Sequence, residues 1–220
     1  MTSFDGRALL GDRTGQLFIA HGSTIIEVAG GDARPGTQLT TDHLFQCWCL
    51  TKPLLALAAH ELHTQHDVDL AESLFCSPCL GGYVTAGAIG RLFIALLRLH
   101  EDGESPLLID QEALTSSLEY RRGLEHDAVL DRDCDFSAGF TVDLSHHGFG
   151  HRVSQSAFGY VGWLGASFVL ADPEFDLVVA RICPRIQTDF AAVSNERGQF
   201  LDNLYAELIG PATGDIRIAG

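Results

Sequence analysis

The sequence predicts an α/β fold of the α+β kind, one antiparallel sheet with helices on both faces, in a single domain covering residues 1–220. Three observations carry that prediction. Strand-like apolar runs sit toward both ends of the chain, amphipathic helical periods lie between them, and a further amphipathic helix closes the sequence. A length of 220 residues is enough for one sizeable core and short for two.

The first helix is read from Leu54, Leu55, Ala58, Ala59 and Leu62, which recur at spacings of three and four behind Pro53, a residue suited to a first helical turn. Ile89, Leu92, Phe93, Leu96 and Leu97 mark a second helix, and Asp110 is the expected N-cap of a shorter one running to Leu118. Residues 136–142, 158–170 and 177–183 read as strands, separated by turn signals at His146-His147-Gly148 and Asp172-Pro173. Phe200, Leu201, Leu204, Tyr205 and Leu208 mark the terminal helix, which Gly210 and Pro211 stop. Residues 119–135 are charged and lack a period, so a surface loop is expected there.

Composition narrows the function classes. Hydrophobic content of 46% and charged content of 20% describe a globular chain, and no apolar run approaches a membrane span. Residues 1–13 hold Asp5, Arg7, Asp12 and Arg13 without a signal-peptide core, which predicts a cytoplasmic protein whose six cysteines are free thiols. With 14 basic and 29 acidic residues the formal charge is −15, which repels phosphate backbones and anionic lipid. Nucleic acid and membrane are therefore excluded as expected partners, and Arg121-Arg122 is left as a small local basic patch.

Chemistry concentrates in Phe45-Gln46-Cys47-Trp48-Cys49-Leu50-Thr51-Lys52-Pro53. Residues three apart on a helix are neighbours, so the Lys52 amine can reach the Cys49 sulfur, and the helix N-terminus adds partial positive charge. Both favour the thiolate, the reactive form. The alternative is a neutral Lys52 acting as proton acceptor. Cys47 alternates with Cys49 and is expected to point into the core.

Around this segment the chain resembles the serine β-lactamase and penicillin-binding-protein superfamily, specifically its class C β-lactamase-like esterases and transacylases. That family opens with two strands, here Gln16-Leu17-Phe18-Ile19-Ala20 and Thr24-Ile25-Ile26-Glu27-Val28-Ala29-Gly30, then a threonine-rich turn, Thr40-Thr41-Asp42, before a Ser-x-x-Lys helix. Cys49 occupies the Ser position and Lys52 the Lys. Val68-Asp69-Leu70 resembles the acidic exit that follows, Gly81-Gly82-Tyr83-Val84-Thr85 resembles the Gly-Gly-x-x-Ser/Thr start of a later helix, and Leu107-Leu108-Ile109 with Glu112 resembles the turn beyond it. Phe158-Gly159-Tyr160-Val161-Gly162-Trp163-Leu164-Gly165, with Ala171-Asp172-Pro173-Glu174 after it, resembles the strand of the third motif, Lys/His-Thr-Gly, with Tyr160 at the Lys/His position. The resemblance implies catalytic roles for Cys49, Lys52 and Tyr160, an oxyanion site from the backbone N–H groups of Cys49 and Trp163, and substrate contacts at Gly162 and Trp163.

The sequence also departs from that family. The helical insertion between the first helix and the Gly-Gly segment is reduced to residues 71–80, and no Tyr-x-Asn or Ser-x-Asn occurs in the chain. Tyr160 or a partner chain must then handle the second proton, and a homodimer or a lid is expected to cover the surface that the insertion walls. A Cys49 thioester reacts more readily with amines, relative to water, than an oxygen ester does. The expected function is therefore acyl transfer or cyclisation on a small-molecule acyl substrate such as a thioester, a biosynthetic step forming an amide or a ring, with no cofactor and no metal. The alternatives are an esterase or amidase hydrolysing a small substrate, and a non-catalytic small-molecule-binding relative.

Other polar groups carry weaker signals. Cys76-Ser77-Pro78-Cys79 is a lone Cys-x-x-Cys without a second pair. His60, His63 and His66 read as a solvated helix face, since no further ligands stand near them in sequence. His146, His147 and His151 are expected to flank the site, with one of them a candidate general acid.

Overall fold

The computed structural model describes residues 5–58, 82–103, 109–119, 121, 123–128, 131–162, 167–184 and 188–210. The expectations for His60, His63, His66, Val68-Asp69-Leu70, Cys76, Cys79, Arg122 and Trp163 fall outside those residues. A short helix α1 (Gly6–Leu10) precedes the hairpin of β1 (Gly15–His21) and β2 (Thr24–Gly30), and the small hairpin β3 (Asp32–Arg34) and β4 (Thr37–Gln38) follows. Strand β5 (Phe45–Gln46) leads into a 3₁₀ turn (Trp48–Thr51), which continues as helix α2 over residues 52–58. Next come β6 (Tyr83–Val84), α3 (Ala86–Asp102), α4 (Gln111–Glu119) and the hairpin β7 (Glu125–Asp127) and β8 (Arg132–Cys134). A 3₁₀ turn (Leu144–His147), the strands β9 (Phe158–Val161), β10 (Phe168–Asp172) and β11 (Leu177–Ile182), and helix α5 (Phe190–Leu208) complete the order.

Five strands form one sheet in the order β2-β1-β11-β10-β9, every pair antiparallel. The first and last strands of the sequence thus meet at its centre, with Phe18 opposite Ala180 and Ala180 opposite Val169. Period-two alternation gives the sheet two apolar faces. Phe18, Phe158, Val169, Val178 and Ala180 pack with Phe93, Leu96 and Leu97 of α3, while Leu17, Ile19, Phe168, Leu170 and Val179 pack with Phe200, Leu201, Leu204 and Tyr205 of α5. Every residue of β10 and β11 is buried, as expected for strands covered on both sides. Phe158 meets Phe140 edge-on at 5.6 Å and Phe93 stacked at 6.1 Å, so truncating such a ring costs about 3–5 kcal/mol in transfer and cavity terms.

The predicted fold class is the observed one, and several elements differ in detail. Residues 158–170 are two antiparallel strands, with Val169 opposite Tyr160, because Gly162 ends the first. Residues 136–142 form isolated bridges, the pair at Thr141 and Gly159 being closed by hydrogen bonds of 2.8 and 3.0 Å. The charged stretch expected to be a loop holds the β7–β8 hairpin, whose last residue, Cys134, is buried. Pro53 and Leu57 of α2, with Leu50 of the preceding turn, are buried, whereas Leu55 and Ala58 are exposed, so the apolar face is rotated from the predicted one. Asp110 caps α4 as expected, its carboxylate accepting from Ala113 N at 2.7 Å.

Candidate active site

The segment before Cys49 is held from two sides. Gln16, buried in β1, donates from Nε2 to the carbonyls of Thr40 and His43 at 2.8 and 2.9 Å, and its Oε1 accepts from Ala86 N at 2.9 Å. One side chain thereby ties the turn after β4 to the start of α3. Thr85 caps α3 by accepting from Ala88 N at 3.0 Å, the task a hydroxyl performs at an N-cap. Strand β5 pairs with β6, and Cys47 N donates to the Gly82 carbonyl at 2.9 Å. Gly82 is required there, since a Cβ would strike the Thr51 methyl and lie 2.8 Å from Cys47 Sγ.

The chain then turns sharply. Trp48 has φ of 51°, a left-handed conformation that is unusual for a bulky residue. Such strain costs on the order of 1–3 kcal/mol and persists only where surrounding structure enforces it. It falls on the residue before Cys49. Cys49 is half-buried in the 3₁₀ turn, Leu50 and Thr51 beside it are buried, and Thr51 Oγ1 donates to the Trp48 carbonyl at 2.9 Å. Lys52 N donates to the Cys49 carbonyl, so the two residues stand one turn apart where 3₁₀ geometry passes into α2. Cys47 is fully buried in the α3-side core, and burial pushes its thiol up, with Cys49 adding a smaller contribution. It is a packing residue.

Strand β9 brings the third element. Tyr160 is half-buried on the α3-facing side of the sheet, and Lys52 Nζ lies 5.7 Å from its ring centroid. Gly162 follows at the strand's end, where its N donates to Ser167 O at 2.8 Å. A Cβ on Gly162 would sit 3.8 Å from the Cys47 carbonyl, which places the end of β9 against the turn that carries Cys49. Cys49, Lys52, Tyr160 and Gly162 therefore converge from a turn, a helix and a strand, while Trp163 lies outside the described residues. Two large apolar side chains, Leu44 and Tyr83, are each 64% exposed on the flanks of the β5–β6 pair that precedes the turn.

The three histidines expected to flank this site lie elsewhere. His147 donates from Nε2 to Asp135 O at 2.8 Å, its own carbonyl accepts from Arg197 of α5, and His151 N donates to Asp202 of the same helix. Leu144 and Phe149 join the α5-side core, so this loop sits across the sheet from Cys49 and supplies it with no general acid. Arg121, expected as part of a basic patch, is ion-paired with Asp135 at 3.5 Å. Sequence reasoning missed Gln16 and Trp48. The polar Gln16 at the head of an otherwise apolar strand was a signal for the first; nothing in the sequence marks the φ of Trp48.

Among the described residues no group of His, Cys, Asp and Glu is arranged to hold a metal ion, and no helix is long and apolar enough to cross a membrane. No family model matches the sequence, and no curated protein matches it either. Solved structures do. A β-lactamase from Mycobacterium bovis superposes with a TM-score of 0.66 at 15% identity, over 91% of this chain and 98% of that one. A penicillin-binding protein homolog from Caulobacter crescentus gives 0.66 at 15% identity over 90% and 94%, and a class C β-lactamase from Rhodobacter sphaeroides gives 0.57 at 13% over 90% and 99%. At these identities the likeness speaks for the fold. With its five-stranded antiparallel sheet between α3 and α5, the chain has the fold of the β-lactamase and penicillin-binding-protein superfamily.

Proposed function

We propose that this protein transfers acyl groups through a Cys49 thioester. The observation that carries the reading is the meeting of Lys52 and Tyr160 beside the strained turn that presents Cys49. In the first step the Cys49 sulfur adds to the acyl carbonyl, Lys52 stabilises the thiolate or takes its proton, and the backbone N–H groups of Cys49 and Trp163 stabilise the oxyanion. The leaving group departs with a proton from Tyr160. In the second step an amine or alcohol adds to the thioester, Tyr160 takes its proton, and collapse releases the acylated product and the Cys49 thiol. When donor and acceptor belong to one molecule the product is a ring.

Hydrolysis is the second reading. It is favoured by the names of the similar structures, since a β-lactamase passes its acyl group to water. The two readings share Cys49, Lys52 and Tyr160 and differ in the acceptor.

Intact mass after incubation with a panel of acyl thioesters, with and without added amines, separates the outcomes. An acyl adduct on the protein and amide in solution support transfer, and free acid alone supports hydrolysis. Cys49→Ala should abolish both the adduct and turnover. Cys49→Ser should remain poor, because a hydroxyl needs a stronger base than a thiol. Retention of activity by Cys49→Ala would overturn the catalytic reading and leave the small-molecule-binding one.

A further inference from the structure

Across the sheet from Cys49, a polar cleft of about 500 Å³ opens between α5 and the loop after β8. Its walls include Arg132, His146, His151, Ser194, Gln199 and Asp202. We propose that this cleft binds a small polar organic anion through a phosphate or carboxylate head group, with Arg132 as its charge partner.

The charge pattern points that way. Arg132 donates to Ser194 Oγ at 3.1 Å, and Arg197 behind it donates to the carbonyls of His147 and Gly148 at 2.7 and 3.1 Å and to Ser194 Oγ at 3.4 Å. Among the described residues neither arginine has a carboxylate within ion-pair distance. Arg197 is 5% exposed and lies over the Phe149 ring at 5.0 Å, so its charge is answered by neutral acceptors and a π face. Burial first, and then Arg132 and Arg181 nearby, pulls its guanidinium below the ordinary range. In a chain of formal charge −15, two neighbouring arginines without a carboxylate partner stand against the trend of the molecule.

The acidic groups at the rim are already engaged. Asp202 Oδ1 accepts from the backbone N–H groups of His151 and Arg152 at 2.7 and 3.0 Å, and Asp143 pairs with His146 at 2.9 Å. The cleft is also built for close approach. Gly148, at φ of 74°, lets the loop backbone lie on α5 where any Cβ would collide with Ser194 Oγ. Its remaining walls, Asn195 and Gln199 among them, offer amide donors and acceptors that suit the hydroxyl or amide groups of a polar ligand.

The test is calorimetric titration of the whole protein with inorganic phosphate and, separately, with acetate, at matched ionic strength in chloride. Saturable binding of either anion is the expected result, and the anion that binds identifies the head group. Arg132→Gln should weaken it by about tenfold or more, the scale of a charge-assisted hydrogen bond. Cys49→Ala should leave it unchanged, which separates this cleft from the acyl-transfer site. Should Arg132→Gln fail to fold, Gln199→Glu places a negative charge on an exposed wall position and should weaken binding instead. Absence of saturable binding to both anions, or equal binding in the folded variants, overturns the proposal.

Discussion

Lys52 Nζ stands 5.7 Å from the centroid of the Tyr160 ring, so a cation from α2 meets an aromatic face from β9 beside the turn that carries Cys49. A neutral amine gains little from a π face, whereas an ammonium gains about 0.5–2 kcal/mol depending on its exposure. Within the proposed mechanism the contact therefore supports a charged Lys52 over a neutral base.

That relationship separates the ring of Tyr160 from its hydroxyl. Tyr160→Phe keeps the face for Lys52 and removes only the O–H, so the rate of Cys49 alkylation by iodoacetamide should be unchanged while acyl turnover falls. Tyr160→Leu removes both and should slow alkylation as well. Stopped-flow alkylation with mass mapping of the labelled thiol checks it; equal turnover by Tyr160→Phe and the native protein would assign Tyr160 to packing.

Lys52→Ala should lower acyl turnover by about two orders of magnitude, the scale of a positioned proton-transfer or charge-stabilising group. It should also slow the alkylation of Cys49 at neutral pH, because the sulfur loses its nearby cation. Cys47, Cys134 and Cys183 are buried and should label more slowly than Cys49 in the native protein. Equal rates of Cys49 alkylation with and without Lys52 would show that the amine does not act on the thiol.

Gln16 should matter more than its place in a strand suggests. Gln16→Leu removes the part-buried bonds to the Thr40 and His43 carbonyls and the buried acceptor of Ala86 N, and a buried polar group left unpaired costs about 1–3 kcal/mol. Gln16→Glu keeps an acceptor for Ala86 N but sets a buried carboxylate oxygen against both carbonyls, so it should destabilise at least as much as Gln16→Leu. Urea denaturation measures the order. If Gln16→Leu unfolds at the native midpoint, the side chain does not hold the turn and α3 together.

These residues show what the sequence made legible and what it hid. The continuous apolar runs of β1, β10 and β11 and the three-and-four spacing in α3 follow from burial against neighbouring layers, so the sheet with helices on both faces could be read directly. The approach of Lys52 to Tyr160, residues far apart in the chain, was legible only through the resemblance of their motifs to a known family. The face of α2 was misread because Leu54, Leu55 and Ala58 mimic a stripe that the packing of Leu50, Pro53 and Leu57 overrides. The side of the sheet on which His146, His147 and His151 fall depends on the path of a loop. That path is set by long-range bonds to Arg197 and Asp202, which no local pattern announces.

Burial of His147 makes the stability of the fold depend on pH. The residue is 2% exposed, and its imidazole is pushed down to about 4, first by burial and then by Arg132 and Arg197, against opposing contributions from the Asp135 carbonyl and Asp143. In the unfolded chain the same ring titrates near 6.5. As pH falls through 6.5 the unfolded state binds a proton that the folded state refuses, so stability declines until the folded ring also protonates near 4. Above 6.5 both states are neutral and the residue contributes no pH dependence. A difference of this size corresponds to about 3 kcal/mol lost across the window. His147→Gln keeps an N–H donor for the Asp135 carbonyl and cannot titrate, so its denaturation free energy should fall less between neutral pH and pH near 4 by about that amount. Parallel stability curves for the two proteins would mean that His147 is charged in the fold, with its proton answered by a group other than Asp143.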